Sequence, residues 1–140
     1  MKRILVAVDG SEPALKGVRM AAEIAKAADA RLDLVYVSPP NLLPAHLYAE
    51  VIEKVAQEEK KYAGEILKAA VAEATALGAR CEQLVVNGAP AEAIADLADE
   101  SSVWMAVVGS RGLGAVSRVL LGSVADRLVR VCRKPVLVVR

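Results

Sequence analysis

Phenylalanine is absent from this 140-residue chain, and its only aromatic residues are Trp104 and three tyrosines. None of them is interleaved with a basic patch, so base stacking has little material and nucleic-acid binding is not expected. Histidine occurs once, at His46, and no Ser-His-Asp order or paired-carboxylate spacing joins a nucleophile to a base. A conventional catalytic constellation is therefore not expected. The two cysteines, Cys81 and Cys132, match neither a C-x-x-C redox motif nor a zinc spacing, and read as reduced structural thiols. Although 55% of the residues are hydrophobic, no apolar run approaches the ~20 residues that cross a bilayer. The basic start leads into Ile4–Val8 and then Asp9, an apolar stretch too short for the core of a signal peptide. These absences together predict a cytoplasmic protein without a membrane partner.

No linker, low-complexity segment or internal repeat divides the chain, so residues 1–140 are expected to form one domain, large enough to bury a real core. Short runs rich in Val, Ile and Leu fall at Arg3–Val8, Arg31–Val37, Arg80–Val86, Val103–Val108 and Pro135–Val139, with helical spacing between them. Runs apolar on both pleat faces, such as ILVAV and VLVV, suit strands covered by helices on both sides, hence an open α/β fold with a mainly parallel sheet. Ser11 is placed to cap a helix over Glu12–Ala28, with Pro13 in its first turn. A long helix over His46–Leu77 carries Val51, Ile52, Val55, Tyr62, Ile66, Leu67, Ala70, Val71, Ala74 and Leu77 on one stripe and stops at Gly78. On that stripe Tyr62 reads as core or rim. A third helix follows Pro90 and runs to about Glu100, and a fourth begins near Ser123. The proline-rich stretch SPPNLLPAH, residues 38–46, either borders a cleft or only leads into the long helix.

Acidic residues are scarce at one end of the chain. Residues 1–100 hold 11 basic and 16 acidic side chains, whereas residues 101–140 hold seven basic ones, Arg111 and Arg118 among them, against Asp126 alone. That excess suits either a compact anion or a solvated helix face. Within it lies VVGSRGLGAVSRVLLGSVADR, residues 107–127. Gly109, Gly112 and Gly114 would allow turns with positive φ and bring backbone N–H groups close to an anion, and Gly122-Ser123 would open a helix whose first N–H groups favour negative charge. In open α/β sheets ligands lie beyond the carboxyl ends of the strands, where both Asp9 and Gly109 fall. The segment is neither a Walker A loop, since Ser123 stands where lysine is required, nor G-x-G-x-x-G, since Ser117 takes the third glycine position. Alternative readings stand beside the ligand site. Ser123-Val124-Ala125-Asp126 matches a capping box, so Ser123 either caps its own helix or meets the anion. Asp9 is either a turn residue or an acceptor for ribose hydroxyls or a magnesium ion. Arg111 is either an exposed loop charge or a phosphate partner.

Gly109-Ser110-Arg111-Gly112, nine residues, then Gly122-Ser123 resembles the G-x-x-G, nine residues, G-[ST] signature of the ATP-binding branch of the universal stress protein family. The similarity runs along the chain, through ILVAVDGSEPA, Val35-Tyr36-Val37, Asn87-Gly88-Ala89-Pro90 and KPVLVVR. It implies five parallel strands in the order 3-2-1-4-5, helices on both faces, and a switch point between the first and fourth strands. It also implies that Asp9 contacts ribose and that the Val37 backbone contacts adenine. Gly109, Arg111, Gly112, Gly122, Ser123 and Val124 would hold phosphates, while Ala7 and Val8 would wall the base. ATP with Mg2+ is the implied ligand, Asp9 the implied metal contact, and a homodimer through strand 136–139 the implied assembly. One departure is Trp104, where the family often has an acidic residue; it reads as packing outside the pocket. The expected function is a stress or signalling module in which nucleotide occupancy orders the 109–123 loop and alters surfaces offered to a protein partner or a second copy. A weak Mg-dependent ATP hydrolase and a nucleotide-independent dimeric scaffold are the alternatives.

Overall fold

The computed structural model describes residues 1–40, 43–44, 46–113 and 120–140. Gly114, Ser117 and Arg118, and part of the 38–46 stretch, lie outside the described residues. The chain alternates β1 (Arg3–Ala7), α1 (Glu12–Ala28), β2 (Arg31–Ser38), α2 (Ala49–Ala76), β3 (Cys81–Asn87), α3 (Pro90–Ala98), β4 (Val103–Gly109), α4 (Ser123–Val131) and β5 (Val136–Val139). The strands form one parallel sheet in the order β3-β2-β1-β4-β5. Neighbouring connections therefore diverge between β1 and β4, at the expected switch point.

Each strand feeds both faces. Ile4, Val6, Leu32, Leu34, Tyr36 and Val107 pack under α1 and α2, whereas Leu5, Val35, Val103, Ala106 and Val108 pack under α3 and α4. Alternation along a strand with both sides covered produces two cores from one apolar run. Helix α1 begins where its cap predicts: the Ser11 hydroxyl accepts the Ala14 N–H at 3.3 Å. Its buried face is built from Ala14, Gly17, Val18, Ala21, Ala22 and Ala25, small side chains that let the helix lie close on the sheet.

The long helix departs from its predicted stripe. It starts at Ala49 rather than His46, and it buries Ala63, Leu67, Ala70 and Ala74 while Val51, Val55 and Tyr62 are exposed. The reason is length. Twenty-eight residues of helix span ~42 Å, whereas the eight residues of β2 span ~26 Å, so the amino-terminal part of α2 overshoots the sheet it covers. Beyond Ala76, Gly78 reverses the chain with φ +79°, as its predicted stop requires.

At the amino ends of the strands, Asp33 is 1% exposed and receives both Arg3 (2.8 Å) and Arg31 (3.0 Å). Arg3 also pairs with Glu100 and donates to the Ser102 hydroxyl, while Arg31 reaches Glu82 at 2.8 Å. Trp104 stands beside this network at a register shift in the β1–β4 ladder, where Arg3 pairs with Val103 and Ile4 with Met105. Displaced in this way, its ring lies under the Lys2 ammonium at 5.0 Å, outside the cleft described below. The free thiols of Cys81 and Cys132 are both half-buried, and burial pushes the Cys81 thiol pKa up. Among the described residues, no helix is long and apolar enough to cross a membrane.

Candidate functional site

Beyond the carboxyl ends of β1, β2 and β4 lies a cavity of about 590 Å³. Ala7, Val8, Asp9, Val37, Gly109, Arg111, Gly112, Gly122, Ser123 and Val124 all line it, so the ten residues that the resemblance implies as ligand contacts are brought to one place. Val35, Tyr36, Pro90, Ile94, Leu120 and Leu121 also contribute. These were not singled out, because their apolar character reads equally well as ordinary core.

Asp9 takes the turn role on one oxygen and leaves the other directed at the cavity. Its Oδ1 accepts the Ser11 backbone N–H at 2.9 Å and the Ser11 hydroxyl at 2.5 Å, which fixes the turn into α1. Its Oδ2 points toward Gly112, where a β-carbon would stand only 2.8 Å away. The space that Gly112 leaves is therefore occupied by the carboxylate oxygen, not by backbone. Neither Gly109 nor Gly112 has the positive φ expected of them; among the described glycines that conformation belongs to Gly10, Gly78 and Gly88. Gly109 is glycine for a third reason. A β-carbon there would lie 2.8 Å from the Pro13 carbonyl carbon and 2.9 Å from the Ala14 nitrogen, so β4 could not pass the first turn of α1.

The capping box does not form. Gly122 takes the N-cap position of α4 with no side-chain cap, Ser123 becomes the first helical residue, and Asp126 pairs with Arg130 at 3.2 Å instead of reaching back. The Gly122 N–H donates to the Ser110 carbonyl at 2.6 Å, and the Ser110 N–H to the Val139 carbonyl at 2.7 Å, which pins both ends of the glycine segment to each other and to β5. A β-carbon on Gly122 would press to 3.1 Å from Arg111 Cα and 3.2 Å from the Ser110 oxygen. The first N–H groups of α4 beyond that one, at Ser123, Val124 and Ala125, have no acceptor within the helix and carry its positive end. Arg111 lines the same cavity and has no carboxylate partner among the described residues.

Val37 supplies a different kind of group. The Val8 N–H donates to the Val35 carbonyl at 2.9 Å, so the backbone groups of Val35 face β1, while the Ser38 carbonyl accepts the Gly88 N–H at 3.0 Å on the β3 side. Residues two apart in a strand direct their backbone groups the same way. The ladder with β1 stops at Val35, and the N–H and C=O of Val37 therefore face past the end of β1 into the cavity. One donor and one acceptor side by side are suited to a planar ring edge that offers the complementary pair.

The universal stress protein family model matches residues 1–140. The chain belongs to that family. The universal stress protein YxiE of Bacillus subtilis is 32% identical over 145 residues, covering 99% of this chain and 98% of its own. Among solved structures, a universal stress protein in complex with cAMP superposes with a TM-score of 0.75 at 31% identity, covering 99% of this chain and 96% of its own. The universal stress protein of Archaeoglobus fulgidus in complex with dAMP gives 0.73 at 29%, covering 100% and 98%. The two superpositions show that the chain shares the fold of those solved universal stress proteins.

Proposed function

We propose that this universal stress protein binds an adenosine nucleotide, with ATP as the working ligand, and that occupancy rather than turnover is its output. The observation that carries this reading is the convergence on one cavity of an outward-facing donor–acceptor pair at Val37, a carboxylate oxygen at Asp9 and a helix amino end at Ser123. Those are the chemistries that a base edge, a ribose and a phosphate chain each require. The cAMP and dAMP complexes of the two neighbours support adenine as the base.

In this assignment Val37 meets adenine through its backbone, and Ala7 and Val8 wall the ring. Ribose hydroxyls donate to Asp9 Oδ2 across the space that Gly112 leaves open. The N–H groups of Ser123 and Val124 and the Arg111 guanidinium hold the phosphates, with Gly122 shaping the backbone around them and Gly109 letting β4 reach the site past α1. The donor set also fits Mg2+ held mainly by the nucleotide: among the described residues no cluster of three or more His, Cys, Asp or Glu forms a cage, and this ion commonly takes one protein carboxylate plus phosphate oxygens. Asp9 would be that carboxylate. When bound, the metal neutralises phosphate charge.

Occupancy is read out at the surface. Leu113, Leu120 and Leu121 are exposed at the cleft mouth, and the Ser110–Val139 hydrogen bond joins the phosphate side of the cavity to β5, the edge through which a second copy pairs. Nucleotide thus alters the surfaces presented to a partner or to the dimer in the cytoplasm. Calorimetric titration of nucleotide-free protein with ATP, ADP, AMP and cAMP, with and without Mg2+, tests the reading. One saturable site for ATP, weakened at least tenfold by Gly122→Ala, is expected. Absence of heat with every nucleotide would overturn it in favour of a nucleotide-independent scaffold, and steady magnesium-dependent phosphate release in the same samples would replace occupancy with hydrolysis.

A further inference from the structure

The two residues that flank Val37 are held by one side chain on the far face of the sheet. Glu59 of α2 accepts the Tyr36 hydroxyl at 2.8 Å and the Ser38 hydroxyl at 3.1 Å, both on Oε1. Burial, and then the Glu59 carboxylate, push the Tyr36 phenol pKa well above its ordinary value, so it stays a donor. The ring of Tyr62, one turn farther along α2, meets Tyr36 edge-on with centroids 6.2 Å apart. Among the described residues, α2 has little else to hold it around this contact: residues 53–58 and 60–62 are exposed, whereas Glu59 is half-buried. On its other side this part of β2 is paired only with β3, an edge strand whose Val85 is 55% exposed.

Resting on the adenosine-nucleotide reading above, we infer that Glu59 is a positioning residue for the base: by fixing Tyr36 and Ser38 from behind, it sets where the Val37 N–H and C=O stand and so how strictly adenine is selected. A hydrogen-bonding edge discriminates only if it is held in place, because a donor displaced from its acceptor leaves both unpaired. Glu59 does not itself line the cavity; it acts through Tyr36, which does, and through the strand. The carboxylate also makes the link run through α2, so a displacement of the exposed part of that helix is felt at the base.

The test compares ATP with GTP, which share ribose and phosphates and differ only in the base. Dissociation constants are measured for both with wild type, Glu59→Gln, Glu59→Ala and Tyr36→Phe, each checked for an unchanged circular dichroism spectrum. For Glu59→Ala the ATP-over-GTP preference is expected to fall about tenfold through weaker ATP binding, with GTP binding unchanged. Glu59→Gln, which keeps an acceptor oxygen, restores most of the preference, and Tyr36→Phe, which leaves the Ser38 contact intact, falls between. An unchanged preference in Glu59→Ala, or an equal loss for ATP and GTP, overturns the inference while leaving nucleotide binding intact. If wild type binds neither nucleotide, the parent reading fails and this one falls with it.

Discussion

The two ends of the sheet treat charge in opposite ways. At the amino end the carboxylate of Asp33 is sealed from water and meets two guanidinium groups, one of which continues to Glu100 and the other to Glu82. Arg3, Arg31, Asp33, Glu82 and Glu100 all find their partners within the fold. At the carboxyl end Asp9 uses only Oδ1 internally, Arg111 has no carboxylate partner among the described residues, and α4 opens on a glycine that offers no side-chain cap. An α/β sheet needs both kinds of end: paired charges fix the strands where nothing else acts, and unmatched ones leave interaction capacity for a ligand where the connections part.

The contrast can be broken by substitution, and its components should separate by size. Gly109→Ala should have the largest effect on folding, about 3 kcal/mol, because its β-carbon meets the backbone of Pro13 and Ala14, which cannot yield as a side-chain tip can. Chemical denaturation measures it. That one glycine at the functional end is there for packing, and a stability loss below ~1 kcal/mol would return it to the ligand's account. Asp33→Asn should follow at about 2 kcal/mol, since the arginines it leaves are partly solvated, at 15% and 28% exposure. Its nucleotide affinity should equal that of wild type, because the two ends are separate devices.

Gly112→Ala reverses that pattern. Its β-carbon displaces only the Asp9 carboxylate, so the denaturation midpoint should move little while ATP affinity drops at least tenfold by titration. The smallest effect belongs to the exposed pair that joins α3 to α4. Hydrogen bonding from Arg127 holds the Glu92 carboxyl pKa below its usual value. A carboxylate with a depressed folded pKa adds stability above its unfolded pKa and loses it as pH falls through the folded value. The melting-point gap between wild type and Arg127→Ala should therefore be slight at neutral pH and vanish once the pH falls below the depressed folded value of Glu92. A gap that grew in acid would mean that Arg127 acts on something other than Glu92.

Much of this architecture is legible in the residue order. The apolar runs locate all five strands within a residue or so, Ser11 and Gly78 mark helix ends, and the spacing of Gly109, Gly112 and Gly122 picks out the cavity. What the sequence hides is three-dimensional reach. A periodic stripe does not state that α2 outruns the sheet, so Val51 and Val55 look as buried as Leu67. The S-x-x-D string at Ser123 cannot show that Asp126 finds Arg130 first. Nor does a glycine announce why it is one: Gly109 answers to α1, Gly112 to Asp9, and Gly122 to the Arg111 backbone. Glu59 was invisible for the same reason, because 21 residues separate it from Ser38 and 23 from Tyr36.

The most direct test of the account is the thermal unfolding midpoint of nucleotide-free wild type and Gly112→Ala, each with and without ATP and Mg2+. At ~100 times the dissociation constant a ligand adds about 2.7 kcal/mol of stability. The account predicts that ATP raises the midpoint of the wild type and leaves that of Gly112→Ala almost unmoved. An ATP shift absent from the wild type, or equal in both proteins, would contradict it.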